Sequence, residues 1–275
     1  MLGSLVITYP TPYEGGELVL RHKGREWKFD TKASTVAQSS PSLAYVAFYS
    51  DIEHEVLKVT SGHRVTITYD LYLVDPAWKP KASARVVPDM CMKSDSNLQT
   101  RLKGLLESPE FLPGGGTLGF GLAHLYPVSF NTKLEEMASY LKGEDARVYR
   151  ACLELGLQPS LKIIYDDEPS QYGIMLDRIV QDPGYTYMTD TYEDALVNDY
   201  GGVPVNKVEG AVIDHSPWVE EEGVRGEFIT WISPFNGLNR LEDDKTECYG
   251  NEPAAECIYC SPCIIAHVPT ASDRV

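Results

Sequence analysis

The sequence predicts an α+β protein: a β-rich N-terminal region of jelly-roll or small-barrel type, followed by an α+β C-terminal lobe. Three observations predict it. Residues 1–75 break into short runs of strand-forming residues with Gly and Pro at the corners. RVTITYDLYLV, from Arg64, alternates strictly, with Arg64, Thr66, Thr68 and Asp70 on one face and Val65, Ile67, Tyr69 and Leu71 on the other. Beyond residue 97, apolar residues recur at helical rather than strand spacing.

The elements follow in order. SLVITY is a strand that starts almost at Met1, and MLGSLVITYP lacks the basic segment and cleavage site of a signal peptide. TPYEGG turns the chain into ELVLRH, and Gly24 turns it again into REWKFD. A Ser-rich loop leads to AYVAFYS, then EHEVLKV, the SGH turn and the alternating strand. A strand polar on one face and apolar on the other suits a barrel or jelly roll whose mouth holds a ligand. Residues 76–97 hold prolines, serines and lysines and read as a linker. In the lobe 98–275, SNLQTRLKGLLES and EDARVYRACLELGL read as helices, the second ending at Gly156. LKIIYDDE, EFITWIS and CIIAHVP read as strands, with acidic loops around 166–227.

Composition excludes several functions. A net charge of −16 disfavours a nucleic-acid partner, since nothing would replace the counterions condensed on a phosphate backbone. No apolar run has the length of a membrane span. Six cysteines without a secretory signal fit reduced thiols in the cytosol or nucleus.

Two residues draw the eye to chemistry. His54 heads one strand and Arg64 the next, with a turn between them. Neutral imidazole is a ligand for iron, and a planar guanidinium on a polar strand face grips a carboxylate through two N–H groups. A lone strand histidine is more often structural, so context decides.

GGELVLRHKG, the Ser-rich gap and FYSDIEHEVLKVTSGHRVTITYDLY resemble the double-stranded β-helix core of the Fe(II)- and 2-oxoglutarate-dependent dioxygenases, in the prolyl-4-hydroxylase-like branch. The likeness to uncharacterised fungal members continues through LGFGLAHLYPV, LKGEDARVYRACLELGL and YGNE. The resemblance implies that His54 is the distal iron ligand and that Arg64 pairs with the far carboxylate of 2-oxoglutarate. It also implies Fe(II) as cofactor, 2-oxoglutarate as cosubstrate, ascorbate as a helper, and a protein or small-molecule substrate. The family's proximal motif, His-x-Asp, is absent; the resemblance makes residues 1–75 an N-terminally incomplete core and puts the motif upstream of Met1. His22, Asp30 and Asp51 are the available substitutes, although solvated turns are the better reading of them.

Two other readings compete. A jelly-roll binding protein without competent iron would keep Arg64 and a carboxylate ligand. Alternatively, Cys257, Cys260 and Cys263, spaced C-x2-C-x2-C with Cys248 upstream, could hold zinc or part of an iron–sulfur cluster. Against that, the run enters CIIAHVP, where a strand would turn residues three apart to opposite faces, so buried or loop thiols are the expectation. GGG at 114–116 lacks the lysine of a phosphate loop and reads as a turn.

Overall fold

The computed structural model describes residues 1–30, 42–72, 95–128, 132–165, 171–180, 192–207, 226–234, 258–259 and 262–274, and the chain divides into two units, Met1–Val86 and Val87–Val275. Of the linker expected at 76–97, residues 76–94 lie outside the described residues, as do Cys248, Cys257 and Cys260.

Among its described residues, unit 1 has strands and turns but no helix. Its strands are β1 (Gly3–Thr8), β2 (Tyr13–Gly15), β3 (Leu18–His22), β4 (Arg25–Phe29), β5 (Ala44–Tyr49), β6 (Glu53–Val56), β7 (Val59–Gly62) and β8 (Thr66–Leu71). Three antiparallel sheets result, ordered β5-β1-β8, β4-β3-β6 and β2-β7. Lys23 and Gly24 both take positive φ, 48° and 73°, which is the primed two-residue turn whose twist matches a tight β3–β4 hairpin. The expected single strand EHEVLKV is split into β6 and β7. Leu57 and Lys58 leave the β3 ladder there, and the chain passes to β2, with Gly16 N–H donating to the Lys58 carbonyl at 3.2 Å.

Unit 2 centres on a six-stranded sheet. Its strands are β9 (Gly116–Gly121), β10 (Pro127–Val128), β11 (Ser160–Tyr165), β12 (Tyr172–Leu176), β13 (Val203–Asn206), β14 (Ile229–Ser233), β15 (Ile258–Tyr259) and β16 (Pro262–Val268). The sheet order is β13-β12-β11-β16-β9-β14; among the described strand pairs of this sheet β14–β9 is parallel and the others antiparallel, and Val205 of β13 makes a further parallel bridge to Glu227, while β10 and β15 pair separately. The helices are α1 (Asp95–Glu107), α2 (Leu134–Met137), α3 (Gly143–Glu154) and α4 (Tyr192–Asn198).

The apolar residues of β16 explain its central place. Ile264, Ala266 and Val268 join one core with Leu118, Phe120, Ile163, Ile174, Met137 and Cys152, while Cys263 and Ile265 join a second with Ile164, Met175, Val205 and Ile229. A strand buried on both faces needs a continuous apolar run, and CIIA supplies it. α3 ends where Gly156 takes φ 75° and the Leu157 N–H donates back to the Cys152 carbonyl at 3.0 Å, a Schellman-type closure. Among the described residues, no helix is long and apolar enough to cross a membrane.

The last turn of the unit is tied down by one side chain. Arg274 donates from Nε to the Pro269 carbonyl at 2.7 Å, from Nη1 to the Phe111 carbonyl at 2.7 Å, and from Nη2 to the Leu112 carbonyl. Charge-assisted bonds to several carbonyls make Arg274→Ala expensive: a loss of about 2 kcal/mol is expected, read as a lower urea midpoint at unchanged slope.

Candidate functional site

Arg64 lies between β7 and β8 on a segment that is pinned to the chain entering β2. The Tyr9 N–H donates to the Val65 carbonyl at 3.0 Å, and the His63 N–H to the Pro12 carbonyl at 3.2 Å. The Thr11 hydroxyl donates to the His63 carbonyl at 2.6 Å. With both neighbours held, the Arg64 backbone has little freedom.

Its side chain runs over Gly16. A Cβ added to Gly16 would stand 3.0 Å from Arg64 Cδ, 2.9 Å from Val59 Cγ2 and 3.6 Å from the Tyr13 ring, and the residue has φ 73°. Both the left-handed backbone and the lack of space require glycine there. The second glycine of the GG pair is therefore the floor of a cradle for the arginine stem. At the end of that stem, Nε and Nη2 are buried and have no hydrogen-bond partner. Two buried, unanswered guanidinium nitrogens are costly, and they lie on one edge of the fork, the edge that a carboxylate meets with both oxygens. The cradle and the orphaned donors therefore fit a carboxylate.

His54 sits on β6 directly opposite Leu20, and the whole of β6 is exposed. Its ring centroid is 4.9 Å from that of Phe48, and Nδ1 is 3.2 Å from the Ile52 carbonyl. With Nδ1–H donating to that carbonyl, Nε2 keeps its lone pair for a metal, the usual arrangement for a ligating histidine. His54 fits as one ligand. Among the described residues, however, it belongs to no group of three His, Cys, Asp or Glu side chains close enough to share an ion.

Of the possible substitutes, His22 Nε2 and Asp51 Oδ2 come within 4.0 Å, with the Asp51 side chain only 4% exposed; Asp30 is an exposed residue just past β4. The opposite face of the β4-β3-β6 sheet carries an ionic cluster that the pattern of the sequence did not disclose. Arg21 donates to Glu26 at 2.8 Å, to Glu55 at 2.9 Å and to Glu53 at 3.4 Å, crossing all three strands. Alternation alone puts Arg21 and Glu26 on one face, but only the β3–β6 register adds Glu53 and Glu55.

Unit 2 holds two further polar clusters. The first surrounds Asp145, in the first turn of α3 and 4% exposed. Its carboxylate accepts from the Ala123 N–H at 2.7 Å, the His124 N–H at 3.0 Å and the Tyr126 hydroxyl at 2.8 Å. The Tyr126 oxygen accepts in turn from the Lys142 N–H at 2.7 Å, and Lys142 Nζ donates to the Leu125 carbonyl at 2.8 Å. Burial pushes the Asp145 carboxyl above its ordinary value of 3.8, and the three donors oppose that without cancelling it. The cluster ties the LGFGLAHLYPV segment to α3, so it is an anchor rather than an open site.

In the second cluster, the Thr117 hydroxyl donates to Glu227 Oε1, and its oxygen is 3.1 Å from His267 Nδ1. Because the one hydroxyl proton goes to Glu227, the proton on the His267 contact belongs to Nδ1. That is the reverse of a nucleophile–base pair, in which histidine must accept.

Cys263 is fully buried in β16, its Sγ 3.6 Å from the Lys162 carbonyl, and burial pushes its thiol well above the usual range. It packs in the second core, with Ile164, Met175 and Val205. Cys152 is likewise buried, its thiol pushed up to about 11. Set against protein-family models, curated proteins and solved structures, the chain shows no match to any of them.

Proposed function

We propose that unit 1 is the 2-oxoglutarate-binding part of an Fe(II)-dependent dioxygenase of the double-stranded β-helix type, prolyl-4-hydroxylase-like in its branch. The observation that carries this reading is the pair of buried, unpartnered nitrogens on Arg64. The order of strands supports it. Along the chain, β1 belongs to one three-stranded sheet, β3 and β4 to another, β5 to the first, β6 to the second and β8 to the first again. Repeated passage between two antiparallel sheets is what a jelly roll requires.

In this reading Arg64 binds the far carboxylate of 2-oxoglutarate through Nε and Nη2, with its stem held over Gly16. His54 offers Nε2 to iron, its ring steadied by Phe48 and the Ile52 carbonyl. Bound Fe(II) would supply the activation of O₂, so that 2-oxoglutarate, O₂ and a C–H bond become succinate, CO₂ and C–OH, one oxygen atom entering each organic product. The chain's own share is to orient the cosubstrate and to hold the His54 tautomer.

The test is succinate release from 2-oxoglutarate with Fe(II), ascorbate and O₂. Turnover is expected to vanish in His54→Ala and Arg64→Glu; turnover that survives both would remove the site assignment. A second reading, a carboxylate-binding protein without competent iron, is favoured by the isolation of His54 from other ligands among the described residues. Iron titration separates the two. A single imidazole binds Fe(II) weakly, whereas a complete ligand set binds it near stoichiometrically, and retained 2-oxoglutarate binding without iron supports the second.

A further inference from the structure

Among the described residues, the strands of one run, residues 53–71, lie at an open edge of every sheet in unit 1. β6 ends the β4-β3-β6 sheet, β7 is half of β2-β7, and β8 ends β5-β1-β8. An edge strand offers a row of unpaired N–H and C=O groups, which proteins ordinarily blunt with lysine, proline or a bulge. β8, TITYDL, has none of these, and its one charge is Asp70.

Which groups face outward follows from the ladder. The Tyr9 N–H donates to the Val65 carbonyl at 3.0 Å, and the register pairs Ile7 with Ile67 and Leu5 with Tyr69. Alternation in an antiparallel pair therefore spends Val65, Ile67 and Tyr69 on β1 and turns the N–H and C=O of Thr66, Thr68 and Asp70 away from it. The face beside that edge is apolar and bare: Tyr45 is 70% exposed, Tyr69 51%, Val65 44% and Ile67 38%.

We infer that β8 pairs antiparallel with β8 of a second copy of this chain, joining two three-stranded sheets into one of six. A two-fold axis at Thr68 sets Thr68 against Thr68, Thr66 against Asp70, and Ile67 beside Tyr69 of the other copy. No like charges oppose each other, and the aromatic–β-branched neighbours are a favourable cross-strand pair. The exposed residues then form one apolar strip across the joint. The other edges suit self-pairing less well. β6 carries Glu53 and Glu55, β4 carries Arg25, Glu26 and Lys28, and on β5 the Tyr49 carbonyl already accepts from the Ile52 N–H at 3.1 Å.

Sedimentation equilibrium of the full chain across a concentration series is expected to show a dimer. Thr68→Pro removes an outward N–H without touching the β1 ladder and should weaken the dimer at least about tenfold. Thr66→Asp sets like charges across both symmetry-related pairs and should weaken it about tenfold, and adding Asp70→Lys should restore it. Hydrogen exchange at residues 66–70 should slow as concentration rises. A monomer throughout, a dimer indifferent to both substitutions, or protection of β8 that does not depend on concentration would overturn the inference; the last would assign the edge to a cover other than a second copy.

Discussion

Arg64→Leu is expected to leave the ligand-free protein as stable as the parent, or up to about 1 kcal/mol more stable, while lowering its affinity for 2-oxoglutarate about 100-fold. The combination is unusual because removing a buried, bonded arginine ordinarily destabilises. Here two of its nitrogens are buried without partners, so folding bears the desolvation of those groups and recovers none of it within the protein. Leucine keeps part of the stem's packing over Gly16 and removes the desolvated head. A carboxylate ligand has the opposite dependence, because it meets both nitrogens at once. Denaturation without ligand and calorimetric titration with 2-oxoglutarate measure the two quantities. A destabilised variant that still binds 2-oxoglutarate normally would mean that Arg64 serves the fold alone.

Asp145→Ala should cost unit 2 about 3 kcal/mol or more, since it strands the Ala123 and His124 N–H groups and the Tyr126 hydroxyl in the interior at one stroke. Asp145→Asn separates charge from shape. The folded carboxyl titrates above its ordinary value of 3.8 because burial disfavours the charge. Its contribution is therefore fully present below about pH 3.8 and is lost as pH rises through the raised value. Relative to Asp145→Asn, the parent protein should lose stability as pH climbs from about 4 towards neutral, in urea unfolding at a series of pH values. A difference that grows in the opposite direction would mean that the three donors outweigh burial.

Much of the architecture could be read from local pattern. Two-residue alternation announced β8, helical spacing announced α1 and α3, and CIIAHVP announced a strand, whose burial on both faces the structure added. These signals are legible because each side chain's environment repeats with the period of its own element. Arg64 and His54 could also be picked out, since a guanidinium opening a polar strand face and a histidine at a strand head are chemical anomalies within a local pattern.

The contacts between distant segments were not legible in the same way. No periodicity says that Gly16 underlies Arg64, that Arg21 reaches Glu53 and Glu55, or that an aspartate at the start of α3 answers two backbone N–H groups 21 and 22 residues earlier. The burial of Cys263 in a core is likewise a property of everything around it. Residue order along the chain thus determines the elements and the chemistry available, because propensity and alternation are properties of neighbours in sequence. Strand register and burial, which come from segments that meet only on folding, decide which of those groups are satisfied and which, like the guanidinium of Arg64, are left waiting for a partner.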